Sequence, residues 1–135
     1  MLILLECSMT TDNIQPLIYK STRGRAKELY FKDIIFEGLA SDGGLYIPSV
    51  WPKLDSNLIT EFKNMSYQDI AFHIFKPYID TSISDEKLKE IIVESYKAFT
   101  NDEITPLNKI DEKEYLLELF HGPTYAFKDL SLIHI

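Results

Sequence analysis

Cysteine is almost absent from this 135-residue sequence, in which Cys7 is the single example. One cysteine excludes a disulfide within the chain and a metal site built on several thiolates. We predict no metal site of any kind. A chain without internal disulfides is typical of a reducing compartment, so we predict a cytoplasmic location.

Long apolar runs are also missing. The apolar start, residues 1–7, has no basic region before it and is too short for a signal peptide or a membrane span. We therefore expect no membrane partner. Residues 1–16 are interpreted as a leader, and Met9 is as good a candidate start as Met1. If Met9 is the start, the residues before it are not native.

Positive charge is scarce, with 14 Lys and Arg against 21 Asp and Glu and a formal net charge of −7. Nucleic-acid phosphates are bound by clustered Lys and Arg, and here these residues are scattered among acids. We therefore predict no nucleic-acid partner. The chain does have the material for a core, because 45% of its residues are apolar and 13% are aromatic. That composition is typical of a globular domain.

The first third of the chain predicts short elements separated by turns. Residues 17–20 suit a half-buried strand. Apolar residues then recur at helical spacing across residues 31–39, with Gly38 near the predicted end. Residues 40–48 contain Gly43 and Gly44 and are predicted to form a loop or turn.

Two amphipathic helices are predicted next. Ser66 and Ser84 are placed to cap them, and apolar side chains recur on one face after each serine. Nothing on these helices requires a chemical role, so we interpret them as scaffold.

The last part of the chain predicts the start of an α/β unit. Residues 100–106 suit a linker, 115–120 a strand, 121–124 a turn, and Tyr125 the beginning of a helix. Lys128 falls just after that turn, where open α/β folds place ligand sites. Partial burial there would favour the neutral amine that reacts with carbonyl groups. On position alone, a solvated surface lysine is the commoner explanation.

Residues 116–129, LLELFHGPTYAFKD, resemble the cofactor-lysine segment of the threonine synthase family. That family belongs to the fold-type-II, tryptophan-synthase-β-like enzymes that use pyridoxal phosphate. Four further blocks resemble the family in the right order: YKSTRG at 19–24, GLASDGGLYIP at 38–48, SYQDIA at 66–71 and DEITP at 102–106. Together these blocks extend the resemblance from Tyr19 to Asp129.

The resemblance implies an α/β fold with two parts. A mainly helical N-terminal domain would occupy residues 17–100. Residues 101–135 would hold the first strand, turn and helix start of a truncated tryptophan-synthase-β-like (fold type II) catalytic domain.

The resemblance also implies the chemistry. Lys128 corresponds to the lysine that carries pyridoxal 5'-phosphate, and it is the candidate catalytic and cofactor-binding residue. Phe127 is a second cofactor-binding candidate, although an aromatic residue beside a turn also suits a core. The substrate of the family is O-phospho-L-homoserine, and its products are L-threonine and phosphate. Weaker candidates are Ser21, Thr22 and Arg23 for contact with a phosphate, Ser41, Asp42, Gly43 and Gly44 for a loop near the substrate entrance, and Thr124 for positioning the substrate or the lysine. His121 is a candidate acid or base, although a turn histidine bonded to the backbone is the commoner explanation.

The sequence departs from the family pattern after Asp129, and we expect the last five or so residues to be non-native. It also has no Gly/Ser-rich loop for the cofactor phosphate. We therefore expect this chain alone to be inactive. Two alternatives stay open: a threonine-synthase-like phospholyase that eliminates phosphate without making threonine, and a small helical binding module. The oligomeric state is left open as well.

Overall fold

The computed structural model describes residues 16–131, and it mixes short antiparallel strands with helices. Across this range no helix has both the length and the apolar character needed to cross a membrane. The elements in chain order are β1 (Ile18–Ser21), β2 (Leu29–Tyr30), α1 (Phe31–Ile34), β3 (Tyr46–Pro48), α2 (Ser56–Glu61), α3 (Tyr67–Ile79), α4 (Asp85–Tyr96), β4 (Leu107–Lys109), β5 (Tyr115–Leu117) and α5 (Lys128–Ser131).

The first strand is the centre of a three-stranded antiparallel sheet, with β2 on one side and β3 on the other. Tyr19, in the middle of β1, is buried, and its hydroxyl donates to the carbonyl oxygen of Tyr78 at 2.6 Å. This bond joins the sheet to the C-terminal end of α3. The predicted strand at 17–20 is confirmed with a shift of one residue.

The predicted loop at 40–48 is wrong for its last three residues, which form β3. Tyr46 and Ile47 are good strand formers, and they pair with Ser21 and Lys20 on the open edge of β1. The earlier part does form a turn, in which the Gly43 amide donates to the Ala40 carbonyl at 2.7 Å.

The helix predicted across residues 31–39 is also wrong in length, because α1 ends at Ile34. Residues 35–39 continue as turns, and Gly38 has a φ of 65°, which a right-handed helix does not accommodate. Leu39, predicted on the apolar face, is 57% exposed. The short helix α2 was not predicted; its cap is Asp55, whose side chain accepts from the Asn57 amide at 2.6 Å.

Both predicted amphipathic helices are confirmed with their caps. The Ser66 hydroxyl accepts from the Asp69 amide at 3.1 Å, and the Ser84 hydroxyl accepts from the Lys87 amide at 3.3 Å. These helices, α3 and α4, pack on each other and supply most of the core. The buried core residues are Ala71, Ile79, Leu88, Ile92, Tyr96 and Ile104.

The strand predicted at 115–120 is shorter than expected, since β5 ends at Leu117. It pairs antiparallel with β4 in a two-stranded hairpin. Tyr115, Leu116 and Leu117 are all about half exposed, so the described residues cover neither face of this strand.

Candidate cofactor-lysine site

The segment between the hairpin and α5 is a strained turn. The Tyr125 amide donates to the Gly122 carbonyl at 3.1 Å, and Tyr125 itself has a φ of 55°. A left-handed conformation costs a non-glycine residue about 1–2 kcal/mol, so neighbouring contacts must stabilise it. The helix predicted to begin at Tyr125 therefore begins three residues later, at Lys128.

The principal contacts of this turn are made by Asp129, whose carboxylate is buried. One carboxylate oxygen accepts from the Thr124 amide at 2.8 Å, and the other accepts from the Thr124 hydroxyl at 2.6 Å. A carboxylate that leaves water needs such donors. Gly122 makes the approach possible, because a Cβ there would lie 2.5 Å from the Asp129 Cβ.

Two further contacts attach the turn to the rest of the molecule. The His121 carbonyl accepts from the Thr100 amide at 2.9 Å. Leu130, on α5, packs against the core formed by α3 and α4. The His121 ring does not face open solvent; its Nε2 is 2.6 Å from a Glu118 carboxylate oxygen, which agrees with a structural role better than with a free acid or base.

The two predicted cofactor-binding residues lie side by side on the surface of this turn. Lys128 is exposed, and Phe127 is 66% exposed. Among the described residues Lys128 therefore has the solvated position that its place in the sequence alone favours, and Phe127 does not have the core role that an aromatic residue beside a turn suits. The physical reason is that Asp129 and Leu130 occupy the inward directions of α5, which leaves residues 127 and 128 pointing outward.

The chemistry of this position fits a covalent cofactor. Within residues 16–131, the Lys128 amine takes part in no hydrogen bond or salt bridge, so it is available to an aldehyde. The adjacent exposed ring of Phe127 offers an apolar surface of the kind that packs on a planar heterocycle. No set of three or more His, Cys, Asp or Glu side chains in the described part of the chain could hold a metal ion.

The weaker candidates near the start of the chain are held in a separate cluster around Asp42. Its carboxylate accepts from the Ser21 hydroxyl at 2.7 Å, from the Arg25 and Ala26 amides at 2.9 and 3.0 Å, and from the Gly44 amide at 3.0 Å. The Ser21 hydroxyl bond, helped by these amides, holds the pKa of Asp42 well below its usual range.

The hydrogen bonds of this cluster give Ser21, Thr22 and Arg23 a structural role in place of the predicted contact with a phosphate. The Ser21 hydroxyl is committed to Asp42, and the Thr22 hydroxyl accepts from the Leu45 amide at 3.0 Å. One guanidinium nitrogen of Arg23 donates to the Asp42 carbonyl at 2.9 Å. These residues therefore join the 21–26 turn to the 40–45 turn. Sequence reasoning missed Asp42 and Asp129 as organisers; for Asp42 the available signal was its place in a turn directly before Gly43.

The described residues mix helices and strands in an α/β fold, and the relatives of the chain specify its family. Residues 18–96 match the family model described as threonine synthase N terminus. The chain is 47% identical over 122 residues to the threonine synthase of Saccharomyces cerevisiae, covering 85% of this chain and 24% of that protein. It is 36% identical over 115 residues to threonine synthase-like 2 of Mus musculus, covering 84% of this chain and 24% of that protein.

A solved structure gives the same result. The crystal structure of PLP-bound threonine synthase from Brucella melitensis superposes with a TM-score of 0.82 at 39% identity, over 85% of this chain and 25% of that one. The chain belongs to the threonine synthase family. It spans about a quarter of the length of these relatives.

Proposed function

We propose that this chain is the N-terminal part of a threonine synthase. The complete enzyme would convert O-phospho-L-homoserine and water into L-threonine and phosphate. The observation that carries the proposal is the exposed Lys128 amine, which follows a turn held by hydrogen bonds. The first part of the same chain matches the threonine synthase N terminus. The matched range ends at residue 96, so the role of Lys128 rests on its motif and its geometry.

Bound pyridoxal phosphate would supply an electron sink that stabilises negative charge on the substrate carbon atoms. Lys128 would hold the cofactor covalently through its Nζ. Once the substrate takes the place of the amine on the cofactor, the same amine would remove and return protons at the substrate Cα and Cβ, because it would lie beside those carbons. Phe127 would pack against the cofactor ring. The phosphate group of the cofactor would be bound by residues beyond this chain.

The proposal extends to domain organisation. Residues 17–100 would form the N-terminal domain, and residues 101–135 would begin the fold-type-II catalytic domain. The open faces of the β4–β5 hairpin support this division, because an apolar strand of that kind normally packs in a larger sheet. A cytoplasmic location follows from the proposed biosynthetic role.

A chimera tests the function. This chain replaces the N-terminal quarter of the Saccharomyces cerevisiae enzyme, and phosphate and threonine release from O-phosphohomoserine are measured together. We expect threonine formation, and we expect Lys128→Met to abolish it. Lys113→Met, on the exposed hairpin, is the matched control and should remain active. A chimera that folds and binds pyridoxal phosphate but releases neither product would refute the proposal. The 135-residue chain alone should release no phosphate.

The second candidate is a threonine-synthase-like phospholyase, which would eliminate phosphate without making threonine. It is favoured less, because identity to the mouse protein is 36% against 47% for the yeast enzyme. The same assay separates the two. Phosphate release without threonine would identify the phospholyase.

A further inference from the structure

Asp129 is a buried acidic residue next to the candidate cofactor lysine, and the proposed reaction gives it no role. It is 8% exposed, yet it directly follows the exposed Lys128. Burial of a carboxylate is unfavourable unless donors compensate it. Hydrogen bonds to a charged acceptor are stronger than neutral ones, so the two bonds from Thr124 form a firm bridge across the turn.

The bridge closes a small ring of chain. The amide and the hydroxyl of residue 124 both donate to the side chain of residue 129, and the Asp129 amide also donates to the Ala126 carbonyl at 3.1 Å. Inside the ring lies Tyr125, whose left-handed backbone would relax without these bonds. The absence of a Cβ at Gly122 allows the carboxylate to fit.

The helix geometry carries this constraint to the lysine. Consecutive residues of an α-helix project about 100° apart. Asp129 faces the turn and Leu130 faces the core, so two directions of α5 are fixed. Lys128 precedes both and leaves the helix in the remaining outward direction. Fixing residues 129 and 130 therefore fixes the backbone from which the Lys128 side chain extends.

We propose that Asp129 is a positioning residue for Lys128, acting through its two hydrogen bonds to Thr124. This inference rests on the proposed function, because the proposed function makes the cofactor aldehyde the group with which the lysine amine reacts. The step it controls is imine formation, in which Nζ attacks the aldehyde carbon, a C=N bond forms and water leaves. A misplacement of about 1 Å can slow such a step by about 100-fold.

The test uses the holoenzyme chimera and a pair of variants at the exposed Thr124. Thr124→Val keeps the shape but loses the hydroxyl, and Thr124→Ser keeps the hydroxyl. Apoenzyme is mixed with pyridoxal phosphate, the imine is reduced with borohydride at timed intervals, and modified Lys128 is quantified by peptide mass spectrometry. We expect Thr124→Val to slow modification by about 10-fold to 100-fold and Thr124→Ser to restore it. Asp129→Asn should resemble Thr124→Val.

The remaining results distinguish failure of the positioning role from failure of the proposed function. The far-ultraviolet circular dichroism of Thr124→Val should match that of the parent, which shows that the variant is folded, and its kcat should fall. Equal modification rates in parent, Thr124→Val and Asp129→Asn would overturn the positioning role and leave the proposed function standing. Lys128 modification without turnover in the parent would overturn the proposed function. The modification rates of the variants would still test the positioning role of Asp129. No modification of Lys128 in the parent would overturn both.

Discussion

Adjacent isoleucines on α4 give a direct test of where the core lies. Ile92 is 3% exposed within the α3–α4 core, and Ile91 is 40% exposed. Replacing either with alanine removes the same three carbon atoms. The burial lost at position 92 corresponds to about 2.4 kcal/mol at about 0.8 kcal/mol for each carbon group. The cavity left behind brings the expected loss to about 3 kcal/mol, within the range of about 2–5 kcal/mol for such substitutions.

The substitution Ile91→Ala should cost less than about 1 kcal/mol. Its side chain already meets solvent, and alanine is the better helix former by a few tenths of a kcal/mol. The pair therefore separates burial from helix propensity, because the residue type, the helix and the change are the same.

Urea unfolding of the 135-residue chain, followed by far-ultraviolet circular dichroism, measures both variants. With a slope of about 1–3 kcal/mol/M, Ile92→Ala should lower the urea midpoint by between about 1 and 3 M at unchanged slope. Equal shifts for the two variants would refute the reasoning, because the α3–α4 interface would then not be the stabilising core.

Three other predictions concern the sheet and the Asp42 cluster. Tyr19→Phe should lower the free energy of unfolding by about 1 kcal/mol through loss of the bond to Tyr78. Burial raises the pKa of Tyr19 to about 12, above its ordinary value of 10.0, so stability present below pH 10 should fall as the pH rises towards 12. Urea midpoints that fall equally in Tyr19→Phe would contradict this. The pKa of Asp42 is depressed, so its contribution should be present above about pH 4 and lost in more acidic solution. Asp42→Asn should flatten that acid loss, and an unchanged pH profile would count against the cluster. Gly44→Ala should cost about 1–3 kcal/mol by calorimetry, because its Cβ would overlap the Ser21 hydroxyl; a neutral result would show that the two turns can separate.

Elements with strong local signals were predictable from the sequence. Ser66 and Ser84 predicted two helices, because a capping serine and an apolar face both lie within one helix and need no distant partner. The wrong predictions concern elements whose bounds depend on residues that are distant in the chain. Strand β3 exists because β1, some 25 residues away in the chain, offers it an edge. Likewise, α1 stops early because the following residues turn back instead of extending an apolar face.

The features of the candidate site also differ in whether the sequence alone predicts them. Lys128 could be singled out from its motif, whereas the inward directions of Asp129 and Leu130 could not, because they depend on contacts with residues elsewhere in the chain. Asp129 was visible in the sequence only as part of the motif. Its burial and its bonds to Thr124 depend on the left-handed backbone at Tyr125, which no local preference of tyrosine predicts.

The connection between the helical core and the lysine turn follows from how the hairpin is attached. Before β4, Ile104 is buried in the core at 2% exposure despite a φ of 63°, so its burial offsets an unfavourable backbone conformation. After β5, the His121 carbonyl is bonded to the Thr100 amide. Both ends of the hairpin are thus fixed to the segment that follows α4, and Leu130 returns the chain to the same core. Helices α3 and α4 contribute no reactive group, yet the contacts made with their core hold the segment of backbone that carries Lys128.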